Sequence, residues 1–358
     1  MRTIMKTLFV IISAFSLVTA SHAGEMTVTG SAKATYNITS GKSNVGKGIG
    51  VANELAFTAT GEIDNGFTWK AQIELDPTDG VDAGITDTDA QSGSALNDDS
   101  RFELTMGDLG MVGIYVSEGG ENNKYKASQD AVLVSTDTGT TPGIKYPTDL
   151  GAFNSVKYVS PTFDVYGASI SASYGFGVEG GDLGEEGSSS NNPGAVNDTT
   201  AEQYGLYVSY GGLGASANYV EVDQANPNAT QQQKNHGGGY SFTYDIGNFG
   251  LGYGKTYQNP AMASHPGSTA TAEYYETTMI SVGAKVNDQF SVSYTTEKSE
   301  QNNATAGATL YDVEARTVQA AYNMGGLTIG LSQATFENAG YADVDDVNEF
   351  ILSLSAAF

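Results

Sequence analysis

From residue 25 to the C-terminus the chain alternates: apolar side chains recur at every second position, and Ser, Thr, Gly, Asn and Gln fill the places between. A period of two is the signature of β-strands, whose successive side chains point to opposite faces. The hairpins are plainest where two such runs meet at a short turn. Tyr204, Leu206, Val208 and Tyr210 lead into Gly211-Gly212, and Leu213, Ala215, Ala217 and Tyr219 lead out. Tyr240, Phe242 and Tyr244 precede Asp245-Ile246-Gly247-Asn248, followed by Phe249, Leu251 and Tyr253. Val318, Ala320 and Tyr322 run into Gly325-Gly326, then Leu327, Ile329 and Leu331. Met106 ends a strand before Gly107-Asp108-Leu109-Gly110, and Val112, Ile114 and Val116 resume the pattern.

Sixteen segments repeat it, near 25–39, 49–62, 66–76, 100–106, 111–117, 153–160, 163–176, 203–211, 213–223, 238–245, 249–257, 273–286, 290–299, 309–323, 327–337 and 346–358. Short turns and long polar loops alternate between them. A soluble β-sandwich also alternates. Against it stand the Tyr and Phe at the strand ends of the apolar face and an opposite face of Ser, Thr and Gly rather than Lys and Glu. The pattern predicts an all-β fold, a transmembrane antiparallel β-barrel of about 16 strands with short periplasmic turns and long extracellular loops. A mean hydropathy of −0.24 is no objection, because polar lumen positions dilute the lipid-facing ones.

The N-terminus reads differently. Arg2 and Lys6 form a basic region, an apolar run spans Leu8 to Val18, and Ser21-His22-Ala23 offers small residues for cleavage. This predicts a signal peptide over 1–23 and a barrel over 24–358, since the apolar run is too short to cross a bilayer as a helix. Losing Arg2 and Lys6 leaves 14 basic residues against 41 acidic ones, a net charge of −27. Such a surface disfavours nucleic acid. The 21 Tyr and 14 Phe exclude wholesale disorder. Cysteine is absent, so burial and backbone pairing must hold the fold.

Three stretches carry a family resemblance. The turn Gly107–Gly110 with its flanking strands is similar to the strand 4–turn–strand 5 segment of trimeric Gram-negative porins. Asn154-Ser155-Val156-Lys157-Tyr158-Val159-Ser160-Pro161 resembles the strand 6 segment of the same family. The end, Phe350-Ile351-Leu352-Ser353-Leu354-Ser355-Ala356-Ala357-Phe358, resembles the outer-membrane assembly signal. An aromatic ring beside a carboxylate also suits a membrane–water boundary on physical grounds. The resemblance implies a homotrimeric general-diffusion channel in the outer membrane of a Gram-negative bacterium, in contact with lipopolysaccharide and delivered by the barrel assembly machinery. It also implies that the loop from Glu118 to about Gly151 folds into the barrel. Glu118, Glu121, Asp130 and Asp137 are then candidate carboxylates of a constriction, with Lys124, Lys126 and Lys145 in the same loop. The few basic residues depart from the more basic walls of some family members.

Parity assigns the facing wall. A charge toward lipid at mid-membrane costs roughly 2–4 kcal/mol, so charged strand residues belong on the polar face. Lys33, Lys70, Arg101 and Lys157 are thereby candidate wall cations, with Gln72, Glu74 and Glu103 on the same face. Arg316 breaks the rule by sharing the parity of Val318 and Ala320, leaving a bulge, a subunit contact or snorkelling open. The acidic segments 76–99 and 177–202 have no basic residue, and Asp76, Asp79, Asp82, Glu185 and Glu186 are candidate Ca²⁺ ligands there, beside the alternative of a solvated acidic surface.

No other cofactor and no catalysis are expected. His236 and His265 stand apart in polar stretches, and Gly254-Lys255-Thr256 lacks the leading glycine of a phosphate loop. The reading is a passive channel for small hydrophilic solutes and ions, preferring cations. Its alternatives are a substrate-specific outer-membrane channel and a structural or adhesin barrel with a plugged lumen.

Overall fold

The computed structural model describes residues 24–41, 46–75, 99–116, 143–178, 199–223, 233–261, 272–303 and 309–358. Residues 1–23, expected to be a signal peptide, the acidic candidates Asp76, Asp79, Asp82, Glu185 and Glu186, and the candidate loop carboxylates Glu118, Glu121, Asp130 and Asp137 lie outside them. Among the described residues the strands are β1 (Met26–Ser40), β2 (Gly46–Glu62), β3 (Thr68–Leu75), β4 (Asp99–Thr105), β5 (Met111–Val116), β6 (Asn154–Val159), β7 (Phe163–Val165), β8 (Ala168–Val178), β9 (Thr200–Tyr210), β10 (Leu213–Asp223), β11 (Asn235–Ile246), β12 (Phe249–Asn259), β13 (Ala272–Lys285), β14 (Phe290–Asn303), β15 (Val313–Met324), β16 (Leu327–Glu337) and β17 (Val347–Ala357).

Every strand pairs antiparallel with its neighbours, and β1 pairs with both β2 and β17, so the sheet closes. Closure leaves no edge of unpaired N–H and C=O groups facing hydrocarbon, where each would cost several kcal/mol, on the order of a lost hydrogen bond in an apolar solvent. At the seam Gly30 N donates to Phe358 O at 2.8 Å and Phe358 N donates to Gly30 O at 2.9 Å. The Phe358 ring lies over Gly30, where a Cβ would stand 2.8 Å from its Cε2. Glycine at position 30 is what lets the terminal ring settle against the first strand.

One strand is built from two pieces. β6 and β7 both pair with β8, Val159 opposite Ser173 and Phe163 opposite Ile170, with a break at Ser160-Pro161. Proline has no N–H to give the ladder. Ser160 bridges the break, its N–H donating to Ala172 O at 2.8 Å and its Oγ accepting from Ala172 N at 2.9 Å. The seventeen segments therefore make a sixteen-stranded barrel. Sequence periodicity put a turn at 161–162 and a strand over 163–176; the turn is instead at Tyr166-Gly167, with φ of 54° and 82°. A two-residue turn with both φ positive matches strand twist, but Tyr-Gly lacks the usual Asn or Asp that would announce it. Asp164 supplies the polar contact from one side, its Oδ1 accepting from Gly167 N at 3.2 Å.

Side chains sort by parity. Outward positions are apolar or aromatic and exposed to the lipid side, such as Leu206, Phe242, Leu251, Ile280 and Leu352. Inward positions are small and hydroxylic, and hydroxyls pair across strands: Ser216 with Ser241 at 2.7 Å, Thr277 with Ser299 at 2.7 Å and Ser281 with Thr295 at 2.9 Å. His236 lies on β11 rather than in a loop.

Candidate channel lining

A continuous inward row follows from strand register. Gln72 faces Arg101, Arg101 faces Tyr115, Tyr115 faces Ser155, Ser155 faces Gly177, Gly177 faces Ala201 and Ala201 faces Val222. Side chains opposite one another in antiparallel strands share a face, so one inward member puts the whole row inside.

The four candidate wall cations fall at inward positions by strand register. Lys70 Nζ stands 3.6 Å from Glu103 Oε2, and Tyr115 OH donates to Glu103 Oε1 at 3.1 Å. Arg101 Nε donates to Gln72 Oε1 at 2.9 Å, and its Nη2 reaches the same oxygen. Gln72 Nε2 in turn donates to Glu74 Oε2 at 3.2 Å. Lys33 sits between Ser355 and Ala52, and Lys157 is buried on β6 opposite Gly113. Glu54 and Asp99 approach Glu74 closely enough to interact with it. The partners seen here for Lys70 and Arg101 are therefore wall residues of adjacent strands. Parity could place each charge inside, whereas register was needed to say which charges meet.

The described end of the long connection, residues 143–153, lies inside the barrel and touches the strands in succession. Ile144 packs against Ala315, Ala334, Phe336 and Val347 on β15, β16 and β17. Lys145 N donates to Tyr341 OH at 3.1 Å, and Thr277 Oγ1 donates to Lys145 O at 3.4 Å. Tyr146 OH donates to Glu297 Oε2 at 2.5 Å on β14. Asn235 Nδ2 on β11 donates to Thr148 Oγ1 at 3.2 Å. Leu150, wholly buried, joins Phe153 with Ala201, Val220 and Val222 on β9 and β10. Asp149 Oδ1 accepts from Gly151 N at 2.9 Å and caps the short turn Leu150–Ala152. The Leu150 side chain presses on Gly175, leaving no room for a Cβ there.

Tyr341 is a fastener on the wall side. It lies in the turn between β16 and β17, its ring centroid 4.9 Å from that of Tyr275. Its oxygen accepts from Lys145 and lies 2.6 Å from Ser299 Oγ, which leaves its proton for Ser299. Burial holds the hydroxyl above its usual range, so it stays protonated. Tyr341, Tyr146 and Leu150 escaped the sequence reading. The one available signal was Leu150, an apolar residue in a polar connection.

Arg316 resolves without a bulge, since β15 keeps register on both sides of it. It points outward near the loop end, with Nη2 2.5 Å from Glu314 Oε2 and Nη1 2.6 Å from Glu337 Oε1. Lys298 with Glu300 and Asp312, Lys255 with Glu276, and Lys234 with Glu221 continue an outward belt of ion pairs on β10–β16.

A model of the Gram-negative porin family matches residues 7–276. The chain belongs to the Gram-negative porin family. Solved porins share its fold at low identity. An anion-selective porin from Comamonas acidovorans is 15% identical, with a TM-score of 0.62 over 94% of this chain and 100% of its own. Salmonella typhi OmpF, in complex with daunomycin, is 12% identical, with a TM-score of 0.63 over 94% and 98%. The trimer form of Vibrio cholerae OmpT is 13% identical, with a TM-score of 0.59 over 94% and 100%. No curated protein matches. This porin is an outer-membrane channel for passive diffusion. Family membership, rather than any feature missing from the fold, makes it a channel and not an enzyme.

Proposed function

We propose that this porin is a general-diffusion channel that prefers cations and works as a homotrimer. The observation that carries the cation preference is the inward face of β1–β6, where Glu54, Glu62, Glu74, Asp99 and Glu103 outnumber Lys33, Lys70, Arg101 and Lys157. Glu103 already neutralises Lys70, so the surplus carboxylates set the local sign. The mature chain's charge of −27 adds to this at the mouths. A lumen of one sign concentrates counter-ions, and salt weakens that effect beyond a Debye length of about 10 Å at 0.1 M.

Diffusion without a dedicated substrate site is supported by the course of 143–153. The segment is held against the wall through Ile144, Lys145, Tyr146, Thr148, Leu150 and Phe153. The homotrimer is supported by the outward face of β17 and β1, which is apolar from Phe350 to Ala356 and from Met26 to Ile38, and by the trimer form of the similar Vibrio cholerae protein. The test is the zero-current potential of a planar bilayer under a KCl gradient. K⁺ preference at low salt that fades at high salt is expected; Cl⁻ preference at low salt overturns the reading. Conductance rising in steps of three per insertion would report the trimer, and single steps would refute it.

A further inference from the structure

The inner segment carries one charged side chain away from the wall that holds it. Ile144 packs into the apolar cluster of β15–β17, and Tyr146 OH donates to Glu297 Oε2 at 2.5 Å. Lys145 stands between them with its side chain exposed. Its backbone is fastened on both sides. The N–H donates to Tyr341 OH at 3.1 Å, and the carbonyl accepts from Thr277 Oγ1 at 3.4 Å. The ammonium is therefore tethered at a fixed place in the lumen. Among the described residues no carboxylate forms an ion pair with it.

Other inward cations are engaged or covered. Lys70 lies 3.6 Å from Glu103 Oε2, the Arg101 guanidinium is bonded to Gln72 Oε1, and Lys157 is buried. With β6 and β7 counted as one strand, Thr277 belongs to the twelfth strand and Arg101 to the fourth, half a turn apart in the barrel. Lys145 thus projects from the side opposite Glu74, Asp99 and Glu103. An unpaired ammonium beside the diffusion path concentrates anions around itself, and lysine is a residue that lines pores passing anions. We propose that Lys145 is a specificity-determining residue of the channel, a fixed lumen cation that draws small carboxylate-bearing anions past a wall whose sign would turn them away. It biases diffusion without making a site for one solute. A solute bearing both charges would meet an ammonium on one side of the lumen and carboxylates on the other. The proposal needs only the channel and the contacts of Lys145, and it holds whichever ion the whole pore prefers.

The test is block of the single-channel K⁺ current by citrate in a planar bilayer at low salt. Citrate is expected to reduce the current of the native porin. Lys145→Gln should weaken that block about twofold to fivefold, the loss of one exposed charge contact, and Lys145→Arg should restore it. Arg316→Gln removes an outward cation and should leave the block as in the native porin. Absence of block in the native porin, or a block that Lys145→Gln leaves unchanged, overturns the proposal. Equal weakening by Arg316→Gln overturns it too, because the block would then follow net charge alone. The readout compares variants in one salt, so a native porin preferring Cl⁻ would refute the cation preference and leave this proposal standing.

Discussion

The two halves of the barrel place their charges on opposite faces. On β1–β5 the charged strand residues point inward, among them Lys33, Glu74, Arg101 and Glu103, and the outward face carries no charge apart from Lys47 near a loop end. On β9–β16 the order is reversed. Glu202, Glu221, Lys255, Glu276, Lys298, Glu314, Arg316 and Glu337 point outward near the loop ends, and the inner wall is mostly glycine, hydroxyl, amide and small apolar residues, with Glu297 among its few charges. Both arrangements obey one rule. Charge goes where water or polar headgroups can solvate it, and a strand offers such a place inside the lumen or at the membrane boundary, never outward at mid-span. The inner wall of the second half is also the one covered by 143–153, and small side chains there leave room for the segment.

Several changes would break or sharpen this contrast. The largest effect is expected at the seam joining the halves' ends. Deleting Phe358 removes both hydrogen bonds to Gly30 and the ring over it, so the outer-membrane fraction should be depleted and unfolded chain recovered from the periplasm; unchanged outer-membrane levels would refute an assembly role. Next comes the covered wall. Leu150→Ala empties a fully buried site, a change that costs about 2–5 kcal/mol in well-packed cores. Its expected signature is cleavage within 143–153 by added protease together with a larger single-channel conductance, while the heat-stable barrel persists.

A third change moves a charge to the forbidden place. Leu352→Arg puts a cation outward on β17 between Tyr36 and Leu331, and a mid-span Arg costs roughly 2–4 kcal/mol. Its midpoint for heat-induced unfolding should fall well below that of wild type. The smallest effect is expected in the belt. Arg316→Gln breaks two exposed ion pairs, which in water contribute little. An unfolding midpoint within error of wild type would agree with this, and a large drop would mean that the belt is packed against a partner rather than bathed in solvent. Between these, Lys70→Gln frees Glu103 and should raise the K⁺ preference in the bilayer measurement at low salt.

Much of this was legible from residue order alone. Alternation marked the strands, and the same alternation put Lys33, Lys70, Arg101 and Lys157 inward, because the two faces of a strand are distinguished by parity and nothing else. The chemistry of the last strand and its terminal Phe358 was equally plain. Residue order could also say that Arg316 breaks parity, though not why.

What remained hidden depends on which strands are neighbours and in what register. The partners of Arg316 on β15 and β16, the Lys70–Glu103 pair and the row from Gln72 to Val222 exist only once the ladders are aligned, and a shift of one residue would turn every one of these side chains to the other face. The turn at Tyr166-Gly167 was missed for a related reason: β6 and β7 read as separate strands until both are seen pairing with β8. The inner course of 143–153 was hidden most completely, since its fasteners Thr277, Glu297 and Tyr341 stand more than a hundred residues away in the chain. Local periodicity determined strand and face; only closure of the barrel brought those distant groups within reach of a segment that has no periodicity of its own.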